Sequence, residues 1–138
     1  CYKARHIFVD KSSPRKVKAT IDFARKTLQG GTSLVVFPEG ARTFTGHLGV
    51  FRKGAFQLAD DLQLPIVPMT INGSFDILPR TKGFNFVRHH KLQLLIHDPI
   101  YPTSRSAEDI LAIKDQAYDA IMRGLPLHYQ GYVKNDDQ

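Results

Sequence analysis

Apolar and polar positions along the chain repeat with two periods, and the period changes from segment to segment. Alternation through Arg5-His6-Ile7-Phe8-Val9-Asp10 predicts a short strand. Ser13 before Pro14 predicts a helix start: a capping hydroxyl, then a residue whose missing N–H costs nothing at the first helical position. Val17, Ile21, Ala24 and Leu28 follow at helical spacing, and Gly30-Gly31 ends that helix. Ser33-Leu34-Val35-Val36-Phe37 is apolar and rich in β-branched residues, the pattern of a buried strand. A polar, glycine-bearing loop runs from Pro38 to Gly49, and a second helix is expected from about Arg52 to Leu62, with Ala55, Ala59 and Leu62 on one face.

Beyond this point, Pro65 to Ile71 reads as a strand in which Pro65 and Pro68 predict an edge or an interrupted ladder. Lys91 to His97 predicts a further strand. Ser106-Ala-Glu-Asp109 resembles a capping box opening a helix that carries Ile110, Ile113, Ala117 and Ile121. Strands and helices joined by short loops indicate an α/β fold: a mixed, partly parallel sheet flanked by helices, in one domain over 1–132 with a polar tail at 133–138. No internal repeat is visible.

Composition narrows the class. At 138 residues, 42% hydrophobic and 23% charged, the chain has the balance of a globular domain rather than a disordered, collagenous or disulfide-stapled one. No apolar run reaches the ~18 residues a bilayer span needs. Nineteen Lys and Arg against thirteen Asp and Glu leave +6, which favours anionic partners: nucleic acid, phospholipid headgroups or phosphorylated metabolites. Cys1 is alone and forms no internal bridge. The chain opens without Met and enters a strand pattern at once, so it is expected to be a piece, or a processed product, of something longer and N-terminally incomplete. A lipoprotein tether at Cys1 is the less favoured reading, because Arg5–Asp10 leaves little room for one.

The chemistry concentrates in Val35-Val36-Phe37-Pro38-Glu39-Gly40-Ala41-Arg42-Thr43. Gly40 lets backbone N–H groups approach a ligand, and Arg42 offers a planar fork suited to two phosphate oxygens. Glu39 is placed to steady that fork or to accept a hydrogen bond from a polyol hydroxyl. At the end of a strand such a group is a receptor for a phosphorylated small molecule. The plain alternative is a solvated loop carrying a Glu–Arg surface pair.

The segment Phe37-Pro38-Glu39-Gly40-Ala41-Arg42-Thr43 resembles the FPEGTRS block of the glycerolipid acyltransferases of the lysophosphatidic acid acyltransferase type. Three more blocks stand in the family's order. Ile7-Phe8-Val9-Asp10-Lys11 is similar to its F-[IV]-D-R, Phe51-Arg52-Lys53-Gly54-Ala55 to its F-K-x-G-[AS], and Leu64-Pro65-Ile66-Val67-Pro68-Met69 to its proline-containing last block. The resemblance covers roughly Arg5 to Gly73. It implies the acyltransferase fold and acyl transfer from a thioester, acyl-CoA or acyl carrier protein, to the free hydroxyl of a lysophospholipid such as 1-acyl-glycerol-3-phosphate. It further implies that Arg42 with Glu39 and Gly40 holds the phosphate and glycerol portion, with Lys11 and Lys53 as further cations. Lys11 stands where the family usually has Arg and lacks the bidentate fork. Ala41 replaces a Thr and removes a hydroxyl. No metal or prosthetic group is implied.

The family's catalytic pair is H-x4-D, a histidine base on the acceptor hydroxyl and an aspartate orienting it, typically contributing about 10²–10⁴ in rate. None of the six histidines here has an Asp five positions on. His6 and Asp10 are four strand steps apart, about 13 Å, too far to share a hydrogen bond. His89, His90, His97 and His128 read as surface or strand residues. No catalytic residue is therefore expected in this chain, and the dyad is expected upstream of Cys1, which leaves the isolated piece inactive.

Cations crowd the start of the chain, from Lys3 to Lys26, and a second basic stretch, Arg80 to Arg88, interleaves Phe84 and Phe86. For an enzyme with a lipid substrate these predict attraction to an anionic membrane surface, on the cytoplasmic face. Two other readings stand beside this one: a catalytically dead lipid- or phosphate-binding relative, and a basic nucleic-acid-binding module. No nucleic-acid motif matches, so no nucleic-acid partner is expected.

Overall fold

In a computed structural model, which describes residues 14–80, 87 and 89–131, the first element is helix α1, Pro14–Gln29. Its end is built as the glycine pair predicts. Gly31 takes a left-handed φ of +82° and donates to the Leu28 carbonyl at 3.0 Å, while the Thr32 N–H reaches back to the Thr27 carbonyl at 3.4 Å. Together these satisfy carbonyls that the helix leaves open. The backbone divides after Val36 into two compact units, Cys1–Val36 and Phe37–Gln138, and α1 belongs to the first. The strand expected over 5–10, the Ser13 cap, Lys11, most of the basic stretch 80–88 and the polar tail lie outside the described residues.

The buried strand expected over Ser33–Phe37 is not formed. Those residues carry no ladder, and Val35, Val36 and Phe37 are 70%, 45% and 70% exposed. A strand is completed by a partner's backbone, and β-branched apolar residues supply only the tendency.

In the second unit, α2 (Gly54–Leu62) and α4 (Ala107–Gly124) enclose the core. Leu48, Phe51, Phe56, Ile110, Ile113 and Ala117 form one buried cluster, with Phe51 edge-on to Tyr118 at 4.9 Å. The face predicted for α4 is the one that packs: Ile110, Ile113 and Ala117 are buried and Ile121 lies against them. The prediction for α2 needs correcting. Ala55, Ala59 and Leu62 are only half-buried, and the deeply buried positions are Phe56, Leu58 and Asp60. The larger aromatic surface of Phe56 gains more from leaving water than two alanines do.

Two short strands, β1 (Met69–Asn72) and β2 (Gln93–Ile96), pair antiparallel with Met69 opposite Ile96 and Ile71 opposite Leu94. Between them lie the one-turn helix α3 (Ser74–Ile77) and the chain leading to β2. The α/β class holds, while the ladder among the described residues is antiparallel where partly parallel pairing was expected. The interruption predicted from the prolines is present. Ile66 makes an isolated bridge to Ile100, and the regular ladder starts only at Met69, after Pro68.

One side of this ribbon exposes Met69, Ile71, Leu94 and Ile96; the other is tied to α4 through Thr70. The Thr70 hydroxyl, 1% exposed, donates to the Ile121 carbonyl at 3.0 Å. Its lone pair then receives Nε2–H of His97 at 2.8 Å, which fixes the tautomer of that ring. Gly124 leaves the room this needs, since a Cβ there would come within 2.5 Å of the Thr70 oxygen.

The start of α4 holds a second buried polar group. Ser106 Oγ accepts from the Asp109 N–H at 3.1 Å, as a capping box requires. The Asp109 carboxylate does not return the bond to Ser106. It accepts instead from the Thr103 hydroxyl at 2.7 Å and from the N–H groups of Thr103 and Ser104 at 2.9 and 3.1 Å. These donors, the Thr103 hydroxyl foremost, hold Asp109 below the ordinary carboxylate range. Asp60 on α2 is buried beside it, and burial, then the Asp109 charge, push Asp60 up. Asp61 adds to that rise and Arg105 opposes it. The two neighbouring carboxyls are thus driven in opposite directions, Asp60 up and Asp109 down.

Two outcomes are expected. Thr70→Val leaves the Ile121 carbonyl and the His97 N–H without their shared partner and should cost about 2–3 kcal/mol in urea denaturation. Because folded Asp60 keeps a proton that the unfolded chain releases, stability should fall as pH rises above the usual value of 3.8 through the raised one. Asp60→Asn keeps a neutral side chain beside Asp109 and cannot ionise. Its Tm should exceed that of the parent at neutral pH and converge with it in acid, measured by thermal denaturation across pH.

Candidate functional site

The polar loop over 38–49 is held shut across its base by groups of its own backbone. Gly40 turns at φ +73°, with its N–H donating to the Phe37 carbonyl at 3.1 Å. The Arg52 N–H donates to the Pro38 carbonyl at 2.9 Å, and Arg52 Nε reaches the Glu39 carbonyl at 3.4 Å. The Arg52 side chain lies across the bare face of Gly40: a Cβ there would stand 2.9 Å from Nε. Glycine is thus required twice, for its φ and for this approach.

Glu39 is half-buried, and its Oε2 accepts the Gly49 N–H at 2.8 Å. Burial pushes its carboxyl above the ordinary range, and the Gly49 hydrogen bond partly opposes that rise. Oε2 therefore joins the two ends of the loop.

Farther out, Thr43 Oγ1 accepts the Gly46 N–H at 3.2 Å. Arg80 donates to the Arg42 carbonyl and lays its guanidinium over the Phe44 ring at 4.2 Å from the centroid. Arg42 itself is exposed, with its backbone pinned by Arg80. Gly46 packs under Tyr129 and Phe75.

Of the residues singled out in the sequence, Glu39, Gly40 and Arg42 therefore share one closed loop. Lys53 stands exposed at the start of α2, and Lys11 lies outside the described residues. Sequence reasoning missed Arg52 and Arg80. For Arg52 a signal existed: laying Phe51-Arg52-Lys53-Gly54-Ala55 on F-K-x-G-[AS] puts Arg52, not Lys53, at the cation of that block. Nothing in the local sequence marks Arg80, which reaches Arg42 from 38 residues away.

A shallow concavity of 280 Å³ opens beside Phe75, Asp76, Pro79, His89 and His90. The Tyr129 hydroxyl donates to Asp76 Oδ1 at 2.6 Å, and His90 Nε2 lies 3.7 Å from Asp76 Oδ2. That hydrogen bond to Asp76 pushes Tyr129 up to about 12, so it remains a donor at any physiological pH. Among the described residues no three His, Cys, Asp or Glu side chains converge as metal ligands, and no helix is long and apolar enough to cross a membrane.

Comparison with known proteins assigns this loop its relatives. The chain is 33% identical over 101 residues to the probable 1-acyl-sn-glycerol-3-phosphate acyltransferase of Mycoplasma pneumoniae, covering 70% of this chain and 38% of that protein. It is 34% identical over 114 residues to the chloroplastic 1-acyl-sn-glycerol-3-phosphate acyltransferase BAT2 of Brassica napus, covering 83% and 31%. The crystal structure of the 1-acyl-sn-glycerophosphate (LPA) acyltransferase PlsC from Thermotoga maritima superposes with a TM-score of 0.67 at 28% identity, over 79% of this chain and 44% of that one. The chain thus spans less than half the length of each of these relatives. A family model described as Acyltransferase matches residues 1–72, the stretch that holds the Pro38–Gly49 loop and Arg52, so the chain belongs to the acyltransferase family.

Proposed function

We propose that this chain is the acceptor-binding part of an enzyme that moves a fatty acyl group from an acyl thioester to the free hydroxyl of 1-acylglycerol 3-phosphate. The observation that carries the reading is the closed loop 38–49, with Arg42 exposed and Arg52 drawn against Gly40. The relatives named for that activity support it. Arg42 meets the phosphate as a charge-assisted fork, and Arg52 adds positive field at the same turn. Glu39, tied to Gly49, acts by keeping the loop shut.

In the reaction the acceptor oxygen attacks the thioester carbonyl, the C–S bond breaks, and the hydroxyl proton passes through a general base to the departing thiolate. None of the six histidines fits the H-x4-D spacing, so this chain contributes the grip and not the base. Neither a metal nor a prosthetic group enters the reaction; the donor, acyl-CoA or acyl carrier protein, is a co-substrate. The acceptor is a lipid, so the enzyme works at a membrane surface.

In the full-length protein, Arg42→Ala should lower kcat/KM on a phosphorylated acceptor about 10²-fold, or 2–4 kcal/mol, with the fold retained by circular dichroism. An unchanged kcat/KM removes Arg42 from the site. Glu39→Gln keeps an acceptor for the Gly49 N–H and should retain most activity, whereas Glu39→Val should open the loop. Hydrogen exchange at the Gly49 amide reads the difference: protected in the first variant and exchanging at least about tenfold faster in the second.

A further inference from the structure

Helix α1 holds five of the chain's cations, Arg15, Lys16, Lys18, Arg25 and Lys26, against the single carboxylate of Asp22. That is a net +4 on sixteen residues of a chain whose total is +6. Helical geometry puts Arg15, Ala19, Phe23 and Lys26 within an arc of roughly 80°, with Lys18 and Asp22 beside it. All six are exposed, and Phe23 is 60% so. The opposite side of the helix carries Ala24, which is buried. An aromatic ring therefore stands in water at one edge of the basic surface of the helix.

We propose that this face of α1 docks on an anionic lipid bilayer, with the cations on the headgroups and the Phe23 ring in the interfacial layer beneath them. The chemistry selects the occupant. A cationic field bordered by one exposed apolar ring complements a surface that is negative outside and apolar a few ångströms below. A hydrophobic groove on a protein calls for several apolar anchors at i, i+3, i+4 and i+7 on the same face, and α1 offers one there. With a single ring, attraction is mostly electrostatic, so docking is reversible and sensitive to salt. The inference deepens the membrane setting proposed above by naming the docking surface.

The test uses the chain as it is, by cosedimentation with phosphatidylcholine vesicles and with vesicles in which about one-third of the lipid is phosphatidylglycerol. Binding to the anionic vesicles should be at least about tenfold tighter and should be lost near about 0.5 M salt. Lys18→Gln with Lys26→Gln should weaken it about 25-fold, fivefold per cation, with helix content unchanged by circular dichroism. The chain contains no tryptophan, so Phe23→Trp introduces a single reporter whose emission should shift to the blue on anionic vesicles.

Equal binding to both lipids, indifference to salt, or no change in the double glutamine variant overturns the proposal. An indole emission that stays at its aqueous position on bound protein also overturns it, as does tighter binding to a single-stranded oligonucleotide. No step of this experiment reads acyl transfer, so its failure is separable from failure of the functional reading.

Discussion

The site depends on how a short loop is closed. Residues 38–49 have no regular structure of their own, yet both ends are tied by hydrogen bonds that leave little freedom: Glu39 to the Gly49 N–H, and the Arg52 N–H to Pro38. Closure restrains an exposed segment, which matters for an anion receptor because the entropy of ordering the backbone that carries Arg42 is lost before the ligand arrives. Gly40 sits where these constraints meet. Its left-handed backbone makes the turn, and its missing side chain admits Arg52.

The rest of the second unit supports that closure. Phe51, one residue before Arg52, is buried against Tyr118 and Phe56, so the cation at the loop base is anchored by a core aromatic next to it. Gly46, at the far side of the loop, packs under Tyr129, whose hydroxyl is held by Asp76. Two buried polar groups at α4 have specific partners: Thr70 has Ile121 and His97, and Asp109 has Thr103 and Ser104. These groups give the apolar cluster its register, because shifting either helix would leave them unpaired in a medium that penalises it.

The elements legible from the sequence are those fixed by local chemistry. The end of α1 at Gly30-Gly31, the Ser106 cap and the break in pairing at Pro68 each follow from one residue's backbone freedom, hydroxyl or missing N–H, and the inward face of α4 follows from helical spacing. The candidate loop was legible for a similar reason. A glycine between a carboxylate and a guanidinium is recognisable in one dimension, and the neighbouring blocks reinforced it. Arg52 was passed over for Lys53 because the two cations are adjacent, although the register of the F-K-x-G-[AS] block separates them and the direction of the Arg52 side chain agrees.

What the chain's order of residues determined by itself was its class, its helix boundaries, the candidate loop and the family's four blocks. Tertiary structure alone decided which apolar residues are buried, that Ser33–Phe37 stays without a ladder, that β1 and β2 run antiparallel, and that Arg80 reaches Arg42. The physical reason is range. Caps, turns and helical periodicity arise from groups a few residues apart, whereas strand pairing, burial and long-range hydrogen bonds need a partner whose position no local pattern encodes.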